Sequence, residues 1–335
     1  MDTASHLSVV IDLSPTQWHL SSEAAKGDSR PLSLEFFFSQ LLVFLNSHIA
    51  CKDENTLAVF GALPGRSVLL FSSANEAKEH REDLADANAY LSFKTLDSTV
   101  MKSISDHIDS LGVSDVEAPT GLVGALTKAL CHINRLTATA STQPNAQATS
   151  LDPRILILSV SPDQSSSYIP VMNSIFSAQK LKVTIDVCKL FGSESVFLQQ
   201  AAHLTGGSYI YLDRPDALLQ YLTMSFLPPP AIRQLLSVPT QDKIDFRAAC
   251  FCHKRIIDIG FVCSVCLSIF CQPVPVCSTC RTKFPIKTLQ RLNAARPPAP
   301  ANVPKSAAPT RTLPSTNNIR APATNGSGTV PAPPR

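Results

Sequence analysis

The chain has 335 residues, of which 44% are hydrophobic and only 16% charged, enough for one large domain, a small one and a tail. The formal net charge of +3 hides an asymmetry: from Arg291 onward there are six basic residues and no acidic one, so Met1 to Gln290 is about three units negative. That balance weakens the case for a body that binds nucleic acid generally, which needs a concentrated basic face. No uninterrupted apolar run approaches the roughly 20 residues that span a bilayer, so a soluble protein with no membrane contact is expected.

Leu7 to Leu13 (LSVVIDL) is a β-branched apolar run of the kind that forms a strand buried on both faces, and it leads through Asp12-Leu-Ser14-Pro-Thr16. Ser33 can cap a helix in which Leu34, Phe37, Phe38, Leu41, Leu42, Leu45 and Ile49 follow helical spacing. Strands are predicted at Thr56 to Phe60 and Arg66 to Phe71, around the turn signal Leu63-Pro64-Gly65. Asn75 to Asp86 carries dense charge and reads as a solvated helix or loop insertion. Two amphipathic helices follow at Ser98 to Leu111 and Gly121 to Ile133, with Thr120 just ahead of the second, and then a polar low-complexity loop from Ala138 to Ser150.

Arg154 to Val160 is another central strand, followed by a helix from Ile169 to Lys180, a strand from Lys182 to Val187 and a helix from Ser193 to Leu204. A short strand, Gly207 to Leu212, and a closing helix, Pro215 to Phe226, complete the pattern. Strands alternating with helices imply an α/β fold: a mainly parallel sheet with helices on both faces. Pro228 to Pro230 then stop the helix. The expected division is an α/β domain over 1–227, a linker over 228–245, a cysteine-rich module over 246–290 and a basic Pro/Ala-rich tail over 291–335. From Pro297 onward the tail has too few bulky apolar residues to offset its ordering entropy, so disorder is expected there.

Seven of the ten cysteines lie between Cys250 and Cys280. Cys263 with Cys266 and Cys277 with Cys280 are two Cys-x-x-Cys pairs; two such knuckles supply four thiolates to one tetrahedral zinc and leave no open position for water, which marks a structural site. Disulfides would need an oxidising compartment, and Met1 to Ser8 has no basic secretory n-region; a redox-active Cys-x-x-Cys would need a thioredoxin-like strand–helix context. Cys250, Cys252, His253 and Cys271 could supply a second zinc, interleaved with the first. Cys252 and His253 are awkward neighbours for one ion, and the alternative is a spare buried cysteine.

No residues in the sequence assemble into catalytic machinery. Gly206-Gly207 lacks a nucleotide-binding pattern, and His132 and His203 read as core or surface histidines.

A strand ending in Asp-x-Ser-x-Thr at the head of such an α/β domain resembles the von Willebrand factor A fold, in which that loop helps hold a divalent ion. The resemblance assigns Asp12, Ser14, Thr16 and Thr120 to the ion loops. It also implies an aspartate after the fourth strand, where this chain has Val160, with Asp163 displaced beyond a proline. The ion site is therefore read as degenerate, with no Mg²⁺ expected.

A von Willebrand A domain followed by Phe246 to His253 (FRAACFCH) and Val262 to Cys271 (VCSVCLSIFC) is similar to the family of smaller von Willebrand A subunits of the transcription and DNA-repair factor TFIIH. The resemblance covers Leu7 to Leu289. It implies a nuclear, non-enzymatic subunit of the TFIIH core, serving RNA polymerase II transcription initiation and nucleotide excision repair. Its implied partner is a larger sister subunit with its own von Willebrand A domain and RING-like zinc module, and through that partner, indirectly, the helicases.

Two other classes compete. Interleaved cysteines suit a RING-type ubiquitin ligase, although Pro273 to Pro275 occupy the region where an eighth ligand is expected. A zinc-ribbon nucleic-acid reader would use Lys254, Arg255, Arg281, Lys283 and Lys287. Against it, Phe251, Phe261, Val262, Val265, Leu267, Ile269, Phe270 and Phe284 make the module more apolar than basic, which predicts protein contacts and only weak or indirect DNA binding.

Overall fold

Residues Ala4–Asp12 form β1, at the centre of the sheet in a computed structural model of the chain. The structure describes residues 4–24, 31–73, 90–112, 115, 118–142, 151–164, 167–233, 235, 236, 239, 244, 246–253, 255–285, 287, 290, 291 and 294. The charged insertion Asn75 to Asp86 and the tail from Pro297 lie outside the described residues, as do residues 143–150 of the low-complexity loop.

After β1 come α1 (Pro15–Glu23), α2 (Leu34–Cys51), β2 (Thr56–Leu63) and β3 (Arg66–Ser72). The chain continues with α3 (Leu91–Asp109), α4 (Leu122–Thr142), β4 (Leu151–Ser159), α5 (Tyr168–Leu181), β5 (Thr184–Lys189), α6 (Val196–Thr205) and β6 (Tyr209–Tyr211). The sheet order is β3-β2-β1-β4-β5-β6, parallel throughout except for the β2–β3 hairpin. Strand order reverses between β1 and β4, the position where loops at the carboxyl ends diverge and open α/β sheets place their sites. This is the α/β, von Willebrand A-like arrangement that the sequence implies.

Alternation along the strands divides the core in two. Val9 and Ile11 of β1 and Leu156 and Leu158 of β4 face α2 and α3, joining Phe37, Leu41, Phe44, Leu45, Leu96 and Val100. Val10, Ile155 and Ile157 face the other way, onto Ala125, Ala129, Ile175 and Ala201 from α4, α5 and α6. Helix α2 has the length and hydropathy to cross a membrane, but its Phe37, Leu41, Phe44 and Leu45 are fully buried in this core. Ser33 caps it, its hydroxyl accepting from the Phe36 N–H at 3.2 Å.

Several boundaries differ from the sequence reading. Helix α1 was not predicted, because only Trp18 and Ser21 are buried and no apolar stripe announces it. Helix α4 continues to Thr142, through the start of the expected loop, and β5 begins at Thr184 because Lys182 closes α5 in a left-handed conformation with φ 55°. The expected helix from Pro215 to Phe226 changes type along its length: a 3₁₀ turn (Pro215–Ala217), α7 (Leu218–Tyr221) and a π-helical turn (Leu222–Phe226). The prolines beyond it do not simply open a linker, since Pro230–Arg233 forms α8 and buries Arg233.

By contact density, Met1–Lys283 forms one unit, holding both the sheet and the metal-donor cysteines, and Phe284–Arg335 a second, in which described residues 287, 290, 291 and 294 are helical.

Candidate metal centre

Each knuckle is a turn closed by an antiparallel pair. In β7 (Phe261–Val262) and β8 (Ile269–Phe270), Val262 pairs with Ile269 around Cys263 and Cys266. Val276 pairs with Lys283 around Cys277 and Cys280. The Cys263 N–H donates to the Ser268 carbonyl and the Cys277 N–H to the Thr282 carbonyl, both at 2.9 Å, while Leu267 and Arg281 take the same left-handed conformation with φ 60°. The two knuckles are repeats, and the sequence carries the signal: Cys263-Ser-Val-Cys-Leu-Ser-Ile-Phe270 matches Cys277-Ser-Thr-Cys-Arg-Thr-Lys-Phe284.

The repeat explains the third turn, which the sequence reading left unresolved. Ala249 pairs with Ile256, and the Cys250 N–H donates to the Arg255 carbonyl at 2.9 Å, the same five-residue closure. Cys250 and His253 therefore occupy the two donor positions of a knuckle, and Cys252 is an added donor between them. Adjacency of Cys252 and His253 does not keep them apart from one centre: with Cys250 and Cys271, their donor atoms all lie within 4.8 Å of one another. Cys263, Cys266, Cys277 and Cys280 form the other such group. Eight donors are assembled with nothing contributed by Pro273 to Pro275.

The spacings suit one ion per group. Cys263 and Cys280 sulfurs lie 3.7 Å apart, Cys266 and Cys277 3.5 Å, and Cys252 and Cys271 3.5 Å, with His253 Nδ1 3.2 Å from Cys271. Zinc–sulfur bonds of about 2.3 Å in a tetrahedron place two sulfurs about 3.8 Å apart, whereas a disulfide needs about 2.05 Å. All ten cysteines are free thiols. The Ser268 hydroxyl lies 3.1 Å from Cys266 and holds its thiol down at about 6; the Thr282 hydroxyl, 3.0 Å from Cys280, lowers that thiol too. Both favour the thiolate, the form that binds metal.

The module leans on the α/β body through the ring contact of Phe246 with His203, centroids 5.2 Å apart. His132 is buried instead, beside His6 and Phe60. The module also leaves large apolar side chains in solvent: Ile259, Val262, Val265 (64% exposed), Leu267 (70%) and Val276.

At the carboxyl edge of the sheet, Asp12 and Ser14 are buried and Thr16 is exposed on α1. Asp12 accepts from the Val160 and Ser161 N–H groups and the Ser161 hydroxyl, and Thr120 Oγ1 lies 3.1 Å from Ser161 Oγ. Asp163 turns away to the start of α6, where it accepts from the Ser195 hydroxyl and the Phe197 N–H.

Residues 4–281 match the family described as Transcription factor Tfb4. The chain belongs to the Tfb4 family. Among Tfb4 relatives, the general transcription and DNA repair factor IIH subunit tfb4 of Schizosaccharomyces pombe is 40% identical over 292 residues, covering 87% of this chain and 92% of the relative. General transcription factor IIH subunit 3 of Dictyostelium discoideum is 39% identical, covering 75% and 68%. The crystal structure of the TFIIH p34 N-terminal domain superposes with TM-score 0.56 at 31% identity, covering 67% of this chain and 98% of that one.

Proposed function

We propose that this Tfb4-family chain is a non-catalytic, architectural subunit of the TFIIH core, acting in RNA polymerase II transcription initiation and nucleotide excision repair in the nucleus. It binds the larger von Willebrand A/RING-like sister subunit, and reaches the helicases and DNA only through its neighbours. The observation that carries this reading is a family-matched α/β body joined to a small module with two four-donor groups and several exposed apolar side chains.

The donors are seven thiols and one imidazole, a soft set that selects zinc over Mg²⁺. We assign one Zn²⁺ to Cys263, Cys266, Cys277 and Cys280, and a second to Cys250, Cys252, His253 and Cys271. Four protein donors per ion leave no position for a reacting water, so the ions contribute folding energy rather than chemistry. Leu267 strengthens the case for docking. An L-residue held at φ 60° is strained by about 1 kcal/mol or more, and glycine would relieve it, yet a large apolar side chain stands there in water.

The interleaving of two donor groups also favours, as a second reading, a RING-type module that recruits ubiquitin-conjugating enzymes. One experiment separates the two: the tagged chain is captured from nuclear extract in high salt and its companions identified by mass spectrometry. Stoichiometric TFIIH core subunits are expected. Recovery of the chain alone, or with ubiquitin-conjugating enzymes, overturns the architectural reading. Full zinc content in Cys263→Ser would overturn the ligand assignment.

A further inference from the structure

The fold family's divalent-ion position at the carboxyl edge does not fit a metal in this chain. Asp12 is fully buried and its carboxylate is saturated: Oδ2 accepts from the Val160 N–H at 3.1 Å and the Ser161 N–H at 2.7 Å, and Oδ1 from the Ser161 hydroxyl at 3.1 Å and the Ser14 N–H at 3.3 Å. Four donors use the roughly four lone-pair sites a carboxylate has. The Thr120 hydroxyl is committed to Ser161, and Thr16 is exposed on α1. Nothing among the described residues replaces the aspartate that Val160 displaces.

The edge nevertheless holds a cation. Lys189, the last residue of β5, pairs in register with Ser159 of β4, is fully buried, and donates through Nζ to the Ser161 carbonyl and to the Ser159 hydroxyl at 3.4 Å. Lysine is almost never fully buried without a partner. Ser161 is the shared residue: its backbone and hydroxyl serve Asp12 on one side and its carbonyl serves Lys189 on the other.

We propose that the Lys189 ammonium is the resident cation of this edge, neutralising Asp12 and bracing the loop after β4, so that the position takes no divalent ion. Burial lowers the lysine to about 8, opposed by Asp12 and Asp163, which leaves it protonated at neutral pH; burial raises Asp12, opposed first by its bonds to Ser161. A divalent ion entering here would meet a fixed positive charge and an Asp12 carboxylate whose lone pairs are already taken. With Asp163 capping α6, the loops after β1, β4 and β5 are tied together in one arrangement without an exchangeable ion. Any partner that docks on this edge does so independently of Mg²⁺.

The test uses the full, zinc-loaded chain. Titration with Mg²⁺ and Mn²⁺ to millimolar levels is expected to give no saturable binding heat and no rise in Tm, whereas a ligand at a hundredfold excess over its Kd would raise Tm by several degrees. Saturable Mn²⁺ binding that Asp12→Asn abolishes would overturn the proposal. A double-mutant cycle supplies the positive arm. Lys189→Met should raise the unfolding constant by roughly tenfold or more, and by clearly less in an Asp12→Asn background, because the two charges answer each other. Strict additivity would also overturn it, and the wild-type titration stands even where Lys189→Met fails to fold.

Discussion

Arg233 and Asp186 meet in a bidentate pair, Nη1 to Oδ1 at 2.5 Å and Nη2 to Oδ2 at 2.8 Å, with both side chains buried. The pair fastens α8 to β5, and Arg233 also donates to the carbonyls of Phe226 and Pro228, as does Arg154 beside it. Two guanidiniums thus satisfy the carbonyls that the π-helical turn and the prolines leave without helical partners. Breaking one member of such a pair strands a buried charge. Arg233→Ala should lower stability by about 3–5 kcal/mol, read as a shifted urea midpoint; an unchanged midpoint would show that the pair is not needed.

Ser268 is buried and its hydroxyl faces the Cys266 sulfur at 3.1 Å. Outer hydrogen-bond partners of ligands typically matter by about 10–100-fold in metal affinity. Ser268→Ala should therefore speed zinc transfer to a chromogenic chelator by about that factor, with the equivalent Thr282→Val acting alike. The exposed neighbour Ser264→Ala should release zinc at the wild-type rate.

Three histidines make the core acid-sensitive. Burial, then His132 and His48, lowers His6 to about 3; burial, then Arg154, lowers His48 to about 4; burial and Arg135 lower His132. Folded values below the unfolded 6.5 mean that the folded state prefers neutral rings. Their contribution is complete above pH 6.5 and is lost as pH falls towards the folded values, by about 1.4 kcal/mol per unit for each ring kept neutral. Urea midpoints measured from pH 7 down to pH 5 should fall, and a flat profile would contradict this.

Leu267→Gly removes an exposed side chain and relieves a positive φ at once. Zinc retention should be unchanged or improved while recovery of the partner in high salt falls several-fold. Unaltered recovery would place the docking face elsewhere on the module.

Much of this was legible in the sequence. Continuous apolar runs rich in β-branched residues placed β1 and β4, and Ser33 announced the cap of α2. What the sequence hid had physical reasons. Lys182 holds a left-handed cap that glycine or asparagine usually signals, so the start of β5 was misplaced. Arg233 follows three prolines that read as the end of structure, and its partner Asp186 lies far away along the chain. The second donor group looked strained because Cys252 and His253 are adjacent; Cys250 to Ile257 lacks the Cys-Ser-x-Cys-x-Ser/Thr-x-Phe pattern of the other two knuckles, and only the shared backbone closure reveals Cys250 and His253 as the paired positions. Lys189 carries no local signal of burial; only the fold brings Ser159 and Ser161 of the neighbouring strand end to its ammonium.

The order of the donors along the chain has a kinetic consequence. Cys263 and Cys266 lie inside the loop from Cys250 to Cys271, and Cys271 lies inside the loop from Cys263 to Cys280. Closing either loop shortens the free segment that the other must still close, and so reduces its entropic cost. On the proposed assignment of one Zn²⁺ to each group, ion uptake at the two centres is then mutually reinforcing. Halving a loop lowers its closure cost by only about 0.6 kcal/mol, so on that assignment singly loaded molecules become fewer at limiting zinc without disappearing, and supply of the metal bears on how many complete subunits exist rather than on how well each one works.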